Sequence, residues 1–102
     1  MQEVTIKGLT DGELFIALSG DIDLGNAEAF YQTVTSAYQE TPANVCFDCE
    51  GLEFIDSTTL GTFVKIFKKI KMDGKEMKLV NLQSKIKKLF VICKLDSIME
   101  IA

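Results

Sequence analysis

The 102-residue sequence predicts one α/β domain, a small open β-sheet that begins with a hairpin and packs against helices. Three observations carry this reading. Two apolar-rich runs near the N-terminus are separated by Thr10-Asp11-Gly12-Glu13, and Asp-Gly between such runs is a strong hairpin signal. Downstream, short apolar runs alternate with segments whose apolar residues recur every three to four positions, the order expected of a sheet flanked by helices. The length suits one core of ordinary size and is too short for two, so a single domain over 1–102 is expected.

The hairpin strands are expected over residues 3–9 and 14–19. Gly20-Asp21-Ile22-Asp23-Leu24-Gly25-Asn26 reads as a polar loop. After it, Ala27, Phe30, Val34, Ala37 and Tyr38 form the stripe of a first helix at about 26–39. Pro42 closes the connection, and residues 45–49 form the next strand, ending at Gly51. Phe54-Ile55 leads into a second helix with Leu60, Phe63, Val64, Phe67 and Ile70 on one side and Asp56 or Ser57 as its N-cap. Asp73-Gly74 turns the chain into a short strand at 77–80. Ser84 then caps a third helix carrying Ile86, Leu89, Phe90 and Cys93, and a last strand spans 98–101.

Hydrophobic residues make up 47% and charged residues 25%, which places the chain among ordinary globular proteins. The apolar stretches are far shorter than the roughly 20 residues of a membrane span, and no basic-then-apolar leader opens the sequence. A cytoplasmic protein without membrane insertion is expected. The net charge of −4 argues against direct nucleic-acid binding. That sum hides a dipole: up to Ser57 the chain carries 11 acidic residues and one lysine, and from Thr58 onward 10 lysines and four acids. Arginine is absent, which excludes a bidentate arginine clamp. Histidine is absent too, which argues against triad-type hydrolysis and removes the commonest zinc ligand. With no Gly-x-x-x-x-Gly-Lys loop there is no support for a nucleotide site, and no cofactor is expected.

Cys46, Cys49 and Cys93 leave one thiol unpaired under any connectivity, which fits a reducing compartment. Cys46 and Cys49 have the C-x-x-C spacing of thiol oxidoreductases, but they lie on a predicted strand rather than at a helix N-terminus, and residues three apart on a strand face opposite ways. Small buried or half-buried thiols, binding no metal, are the expectation. Asp21 and Asp23 lack the further ligands that calcium requires and read as solvated loop acids. Lys65, Lys68, Lys69 and Lys71, and on the third helix Lys85, Lys87 and Lys88, suit either an acidic partner or an ordinary solvated face.

On the second helix the apolar side leaves Ser57, Thr58, Gly61, Lys65 and Lys68 facing solvent. Gly61 costs that helix about 1 kcal/mol relative to alanine, so it calls for close approach, either by a partner or by neighbouring structure.

The run Ile55-Asp56-Ser57-Thr58-Thr59-Leu60-Gly61, with Leu18-Ser19-Gly20-Asp21-Ile22-Asp23 upstream and Lys87-Lys88-Leu89-Phe90 and Leu95-Asp96-Ser97-Ile98 downstream, resembles the STAS domain. Within it, the chain looks most like the bacterial anti-sigma factor antagonists. The resemblance implies that Ser57 is phosphorylated by a partner anti-sigma factor acting as a serine kinase, with Asp56 beside it and Asp23 as the second acidic residue of the site. Unmodified, such a protein binds the anti-sigma factor and frees a sigma factor; phosphorylated, it lets go, and a phosphatase resets it. It is not an enzyme. Asp23, Asp56 and Ser57, with Thr58, Gly61 and Lys65 of the exposed strip, are the expected partner-binding surface. A non-phosphorylated STAS subunit of a transporter or lipid-transport complex is the alternative. Two departures stand out. Thr59 replaces the family's usual glycine, which puts a β-branched group near the approach path, and Ala102 falls about where the family's final helix is expected, so either this is a short version of the domain or that helix lies beyond this sequence.

Overall fold

A computed structural model describes residues 3–101, and Met1, Gln2 and Ala102 of the expected domain lie outside them. The chain folds as β1 (Glu3–Thr10), β2 (Glu13–Ile22), α1 (Ala27–Glu40), β3 (Asn44–Ile55), α2 (Ser57–Met72), β4 (Met77–Val80), α3 (Ser84–Ile92), a 3-10 turn (Leu95–Ser97) and β5 (Glu100–Ile101). The strands form one five-stranded sheet in the order β1-β2-β3-β4-β5. β1 and β2 pair antiparallel, and every later pairing is parallel.

The hairpin turns on two residues, Asp11 and Gly12, with φ of 52° and 82°. Two successive left-handed residues make the turn whose twist matches its flanking strands, which is why Asp-Gly signals it. β2 and β3 both run further than expected. Gly20 and Asp21 belong to β2 rather than to the loop, and Gly51 lies inside β3 instead of ending it. The reason is pairing: Ser19 lies opposite Gly51 and Ile22 opposite Ile55, with register shifts on either side of Ser19 and Gly20 absorbing the mismatch. A Cβ on Gly51 would stand 2.9 Å from the Ser19 Cβ and 3.2 Å from the Leu18 carbonyl oxygen, so the glycine serves close strand approach.

One face of the sheet carries the helices. Phe47 of β3 meets Phe30 of α1 and Phe63 of α2 at ring-centroid distances of 6.2 and 5.7 Å, and Phe63 in turn meets Phe30 at 5.2 Å and Phe90 of α3 at 5.5 Å. Around these rings Leu14, Ile16, Leu18, Val45, Leu52, Ile66 and Leu79 are buried. On α2 the buried face is rotated slightly from the expected stripe: Leu60, Phe63 and Ile70 are buried together with Ile66, whereas Val64 and Phe67 are only half-buried. The strip Ser57, Thr58, Gly61, Lys65 and Lys68 is exposed, as the wheel requires.

The three cysteines are free. Cys49 shares the helix face with Phe47, while Cys46, on the opposite face, lies in register between Phe15 and Lys78 and is still buried. Burial, reinforced by Asp48 and Cys46, pushes the Cys49 thiol up to about 12, and burial with Glu13 raises that of Cys46. These thiols are the reverse of the low-pKa pair that disulfide exchange uses.

The C-terminal elements differ most from expectation. Ser84 is the first residue of α3 and not its cap; the Gln83 carbonyl accepts the Ile86 and Lys87 N–H groups and so starts the helix one residue earlier. Cys93 follows the end of α3 and is exposed, not part of its apolar stripe. At Lys94 the chain turns left-handed, with φ of 60°, and the Leu95 carbonyl then accepts the Ile98 and Met99 N–H groups. Ile98 is therefore committed to the turn, and β5 shortens to two residues.

Candidate functional site

Because Ile22 and Ile55 are partners in parallel strands, β2 and β3 end side by side. The 23–26 loop and the first turn of α2 consequently share one corner of the molecule. Asp56 joins them. Its backbone is extended, with φ of −114° and ψ of −177°, and it caps α2. Oδ1 accepts the Thr59 N–H at 2.9 Å, and Oδ2 accepts the Leu24 N–H of the neighbouring loop at 2.9 Å. The Thr59 N–H above all, with the Thr59 hydroxyl and the Leu24 N–H, holds the Asp56 carboxyl below the usual carboxylate range.

Thr59 does not stand on the approach path. It is fully buried, and its hydroxyl lies 2.6 Å from the Ile22 carbonyl oxygen and 2.9 Å from Asp56 Oδ1. One hydroxyl proton is thus shared between two acceptors. The residue pegs the start of α2 to the end of β2 from beneath.

Nor is Asp23 a free loop acid. Its carbonyl accepts the Asn26 and Ala27 N–H groups, and its Oδ1 accepts the Gly25 N–H at 2.9 Å. Asn26 reciprocates, accepting the Asp23 N–H at 2.9 Å and donating to the Asp21 carbonyl at 3.0 Å. This is a self-bonded turn of the kind that short polar side chains build, and it sets the start of α1.

Ser57, the first residue of α2, is exposed, and among the described residues its hydroxyl has no hydrogen-bond partner. Thr58, Gly61 and Lys65 run along the same helix and line a groove of about 340 Å³ between α2 and the start of α1. A Cβ on Gly61 would meet nothing within 4 Å, so packing inside this molecule does not account for the glycine. Lys65 Nζ lies 4.6 Å from the Tyr31 ring centroid, which pins the side chain over α1. Leu24, missed in the sequence reading, lines the groove with 74% of its surface exposed. The available signal was a large apolar residue placed between Asp23 and Gly25 in a polar turn. The predicted residues thus divide: Asp23 and Asp56 build the corner, and Ser57, Thr58, Gly61 and Lys65 present its surface.

The family model of the STAS domain matches residues 4–102. The chain belongs to the STAS domain family. This STAS domain is 31% identical over 93 residues to the anti-sigma-B factor antagonist of Bacillus subtilis (strain 168), a match covering 90% of the chain and 84% of the relative. Among solved structures, an anti-sigma factor antagonist from Mycobacterium paratuberculosis superposes with a TM-score of 0.87 at 19% identity, covering 99% of this chain and 85% of that one. The Bacillus cell fate determinant SpoIIAA in its phosphorylated form superposes with a TM-score of 0.75 at 21% identity, covering 98% and 91%. The last two establish the fold, and the expected α/β architecture with an opening hairpin agrees with it. No helix among the described residues is long and apolar enough to cross a membrane.

Proposed function

We propose that this STAS domain is an anti-sigma factor antagonist whose unmodified form binds a kinase-type anti-sigma factor and frees a sigma factor, and that phosphorylation of Ser57 reverses the binding. The observation that carries the reading is the exposed, unpartnered Ser57 hydroxyl at the first helical position, beside an Asp56 carboxylate already committed to Thr59 and Leu24. A kinase reaches that hydroxyl without disturbing the core. The domain itself performs no chemistry in this scheme; a separate phosphatase resets it, and neither nucleic acid nor a cofactor takes part.

The same position explains how a modification switches binding and spares the fold. A phosphate on Ser57 meets the free N–H groups and the positive dipole end of α2, an arrangement that tolerates anions. Toward a partner it adds about two negative charges, and one unit pair at ~6 Å and an effective dielectric of ~20 is worth roughly 3 kcal/mol before salt screening. Half of that weakens affinity about tenfold.

The test combines the protein with its anti-sigma kinase and ATP. Intact mass should rise by one phosphate, located on Ser57; Ser57→Ala should take none, and Ser57→Asp should bind at least about tenfold more weakly. Phosphorylation of Ser57→Ala on Thr58 at the normal rate, or undiminished binding by Ser57→Asp, would move the switch elsewhere. Co-purification with a membrane transporter in place of a kinase would favour the transporter-subunit role.

A further inference from the structure

α3 has two faces. Ile86 and Phe90 are buried in the core, whereas Ser84, Lys87, Lys88, Val91 and Ile92 face outward along one open stripe of the helix. Ile92 is 74% and Val91 46% exposed, two adjacent β-branched side chains at the end of the stripe. The apolar end is flanked by unmatched charge. α3 contains three lysines and no acid, and among the described residues Lys85, Lys87 and Lys88 form no ion pair; the ion pairs present are Lys71–Glu76 and Lys78–Glu13. Lys85 and Lys87 also lie in the first turns, where the helix dipole disfavours cations, and Gln83 supplies no side-chain cap to offset it.

We propose that this outward stripe of α3 docks an amphipathic helix of a protein partner whose apolar ridge is flanked by acidic residues. The stripe recurs at helical spacing over two turns, the form that accepts a second helix by ridge-and-groove packing. The partner's apolar ridge packs against Val91 and Ile92, and its carboxylates pair with Lys87 and Lys88. A second copy of this chain in symmetric contact would set lysine against lysine.

This surface shares no residue with the groove beside Ser57. β3 and β4 are parallel, and α2 and α3 each start after the end of their strand, so Val91 and Ile92, at the close of α3, return toward the opposite end of the sheet. Docking there is independent of the state of Ser57 and does not rest on the phosphorylation reading.

The experiment is an isotope-edited chemical-shift titration of the full chain with a capped peptide of about five helical turns, leucine along one face and glutamate on its flanks, and with a control in which each glutamate is lysine. The glutamate peptide should shift the amides of 84–94 to saturation and weaken with added salt. The pair Lys87→Glu and Lys88→Glu, and separately Ile92→Ser, should weaken it at least about tenfold, with circular dichroism confirming that these surface variants fold. Ser57→Asp should bind as the parent does. Equal binding by the lysine peptide, shifts confined to another face, or no saturable binding of the glutamate peptide would overturn the proposal. Binding of α3 to phosphatidylglycerol vesicles without peptide binding, or a sedimenting dimer dissolved by Ile92→Ser, would overturn it in favour of a membrane or of self-association.

Discussion

The Thr59 hydroxyl lies 2.6 Å from the carbonyl oxygen of Ile22, a residue 37 positions earlier, and so fastens the first turn of α2 to the end of β2 beneath the Ser57 corner. Replacement by valine keeps the shape and removes the donor, leaving a buried carbonyl and one oxygen of Asp56 without it. Thr59→Val should lower unfolding free energy by about 1–3 kcal/mol in urea titrations. Thr59→Ser should recover much of the loss; if valine were neutral, the hydroxyl would not be fastening anything.

Gly61→Ala should stabilise the protein by about 0.5–1 kcal/mol, because the added methyl meets open space and the helix gains alanine's propensity. Under the proposed function the same methyl stands in the path of the kinase, so calorimetric affinity should fall while the denaturation midpoint rises. A rise in both would remove Gly61 from the interface.

Asp56→Ala should lower the melting temperature and speed hydrogen exchange at the Leu24 amide, since it removes both the α2 cap and the tie to the loop. The carboxyl titrates below its ordinary 3.8 in the folded state, so its contribution is present above that pH and is lost as pH falls through the depressed value. Asp56→Asn should flatten the acid limb of the stability curve.

At the other end of α1, the Tyr38 hydroxyl donates to Asp73 Oδ2 at 2.8 Å. Burial, with Asp73, pushes the phenol from 10.0 up to about 12, and the Cys49 thiol moves from 9.0 to about 12. Both groups are held neutral by the fold. Their contribution is therefore complete below the ordinary values and is lost as pH rises toward 12. Denaturation at stepped alkaline pH should show this decline, and Tyr38→Phe should flatten the part above pH 10.

Phe63 touches the rings of Phe30, Phe47 and Phe90, so each helix depends on it for its place on the sheet. Phe63→Ala should cost about 3–5 kcal/mol, a large share of the 5–15 kcal/mol typical of such domains. Near-ultraviolet dichroism and urea titration would register the loss together.

The sequence made the hairpin, the order of elements and the exposed strip of α2 legible because each rests on local periodicity or turn chemistry: Asp11-Gly12 allows one kind of turn, and the spacing of Leu60, Phe63 and Ile70 allows one buried face. It did not reveal what depends on pairing between distant segments. Gly51 reads as a terminator until Ser19 is laid against it, and Thr59 reads as an obstruction until the Ile22 carbonyl lies beneath it. Asp23 looks solvated until its own loop folds back on it. At the C-terminus, Ile98 has strand-like neighbours but loses its N–H to the turn that Lys94 initiates. The residues of the corner could be named from the sequence, but their division into those that build it and those that present its surface could not.

The parallel pairing of β2 with β3 also governs how the chain reaches this state. Glu13 lies opposite Asn44 and Ile22 opposite Ile55, so each contact of the central pair closes a loop of about 30 residues before it gains anything in return. The β1–β2 hairpin, closed by two residues, meets no such delay and forms on the scale of microseconds. Pairings of this separation slow folding relative to local ones, and the apolar edge of β2 that the hairpin leaves open is covered only by β3, a strand that arrives from across α1.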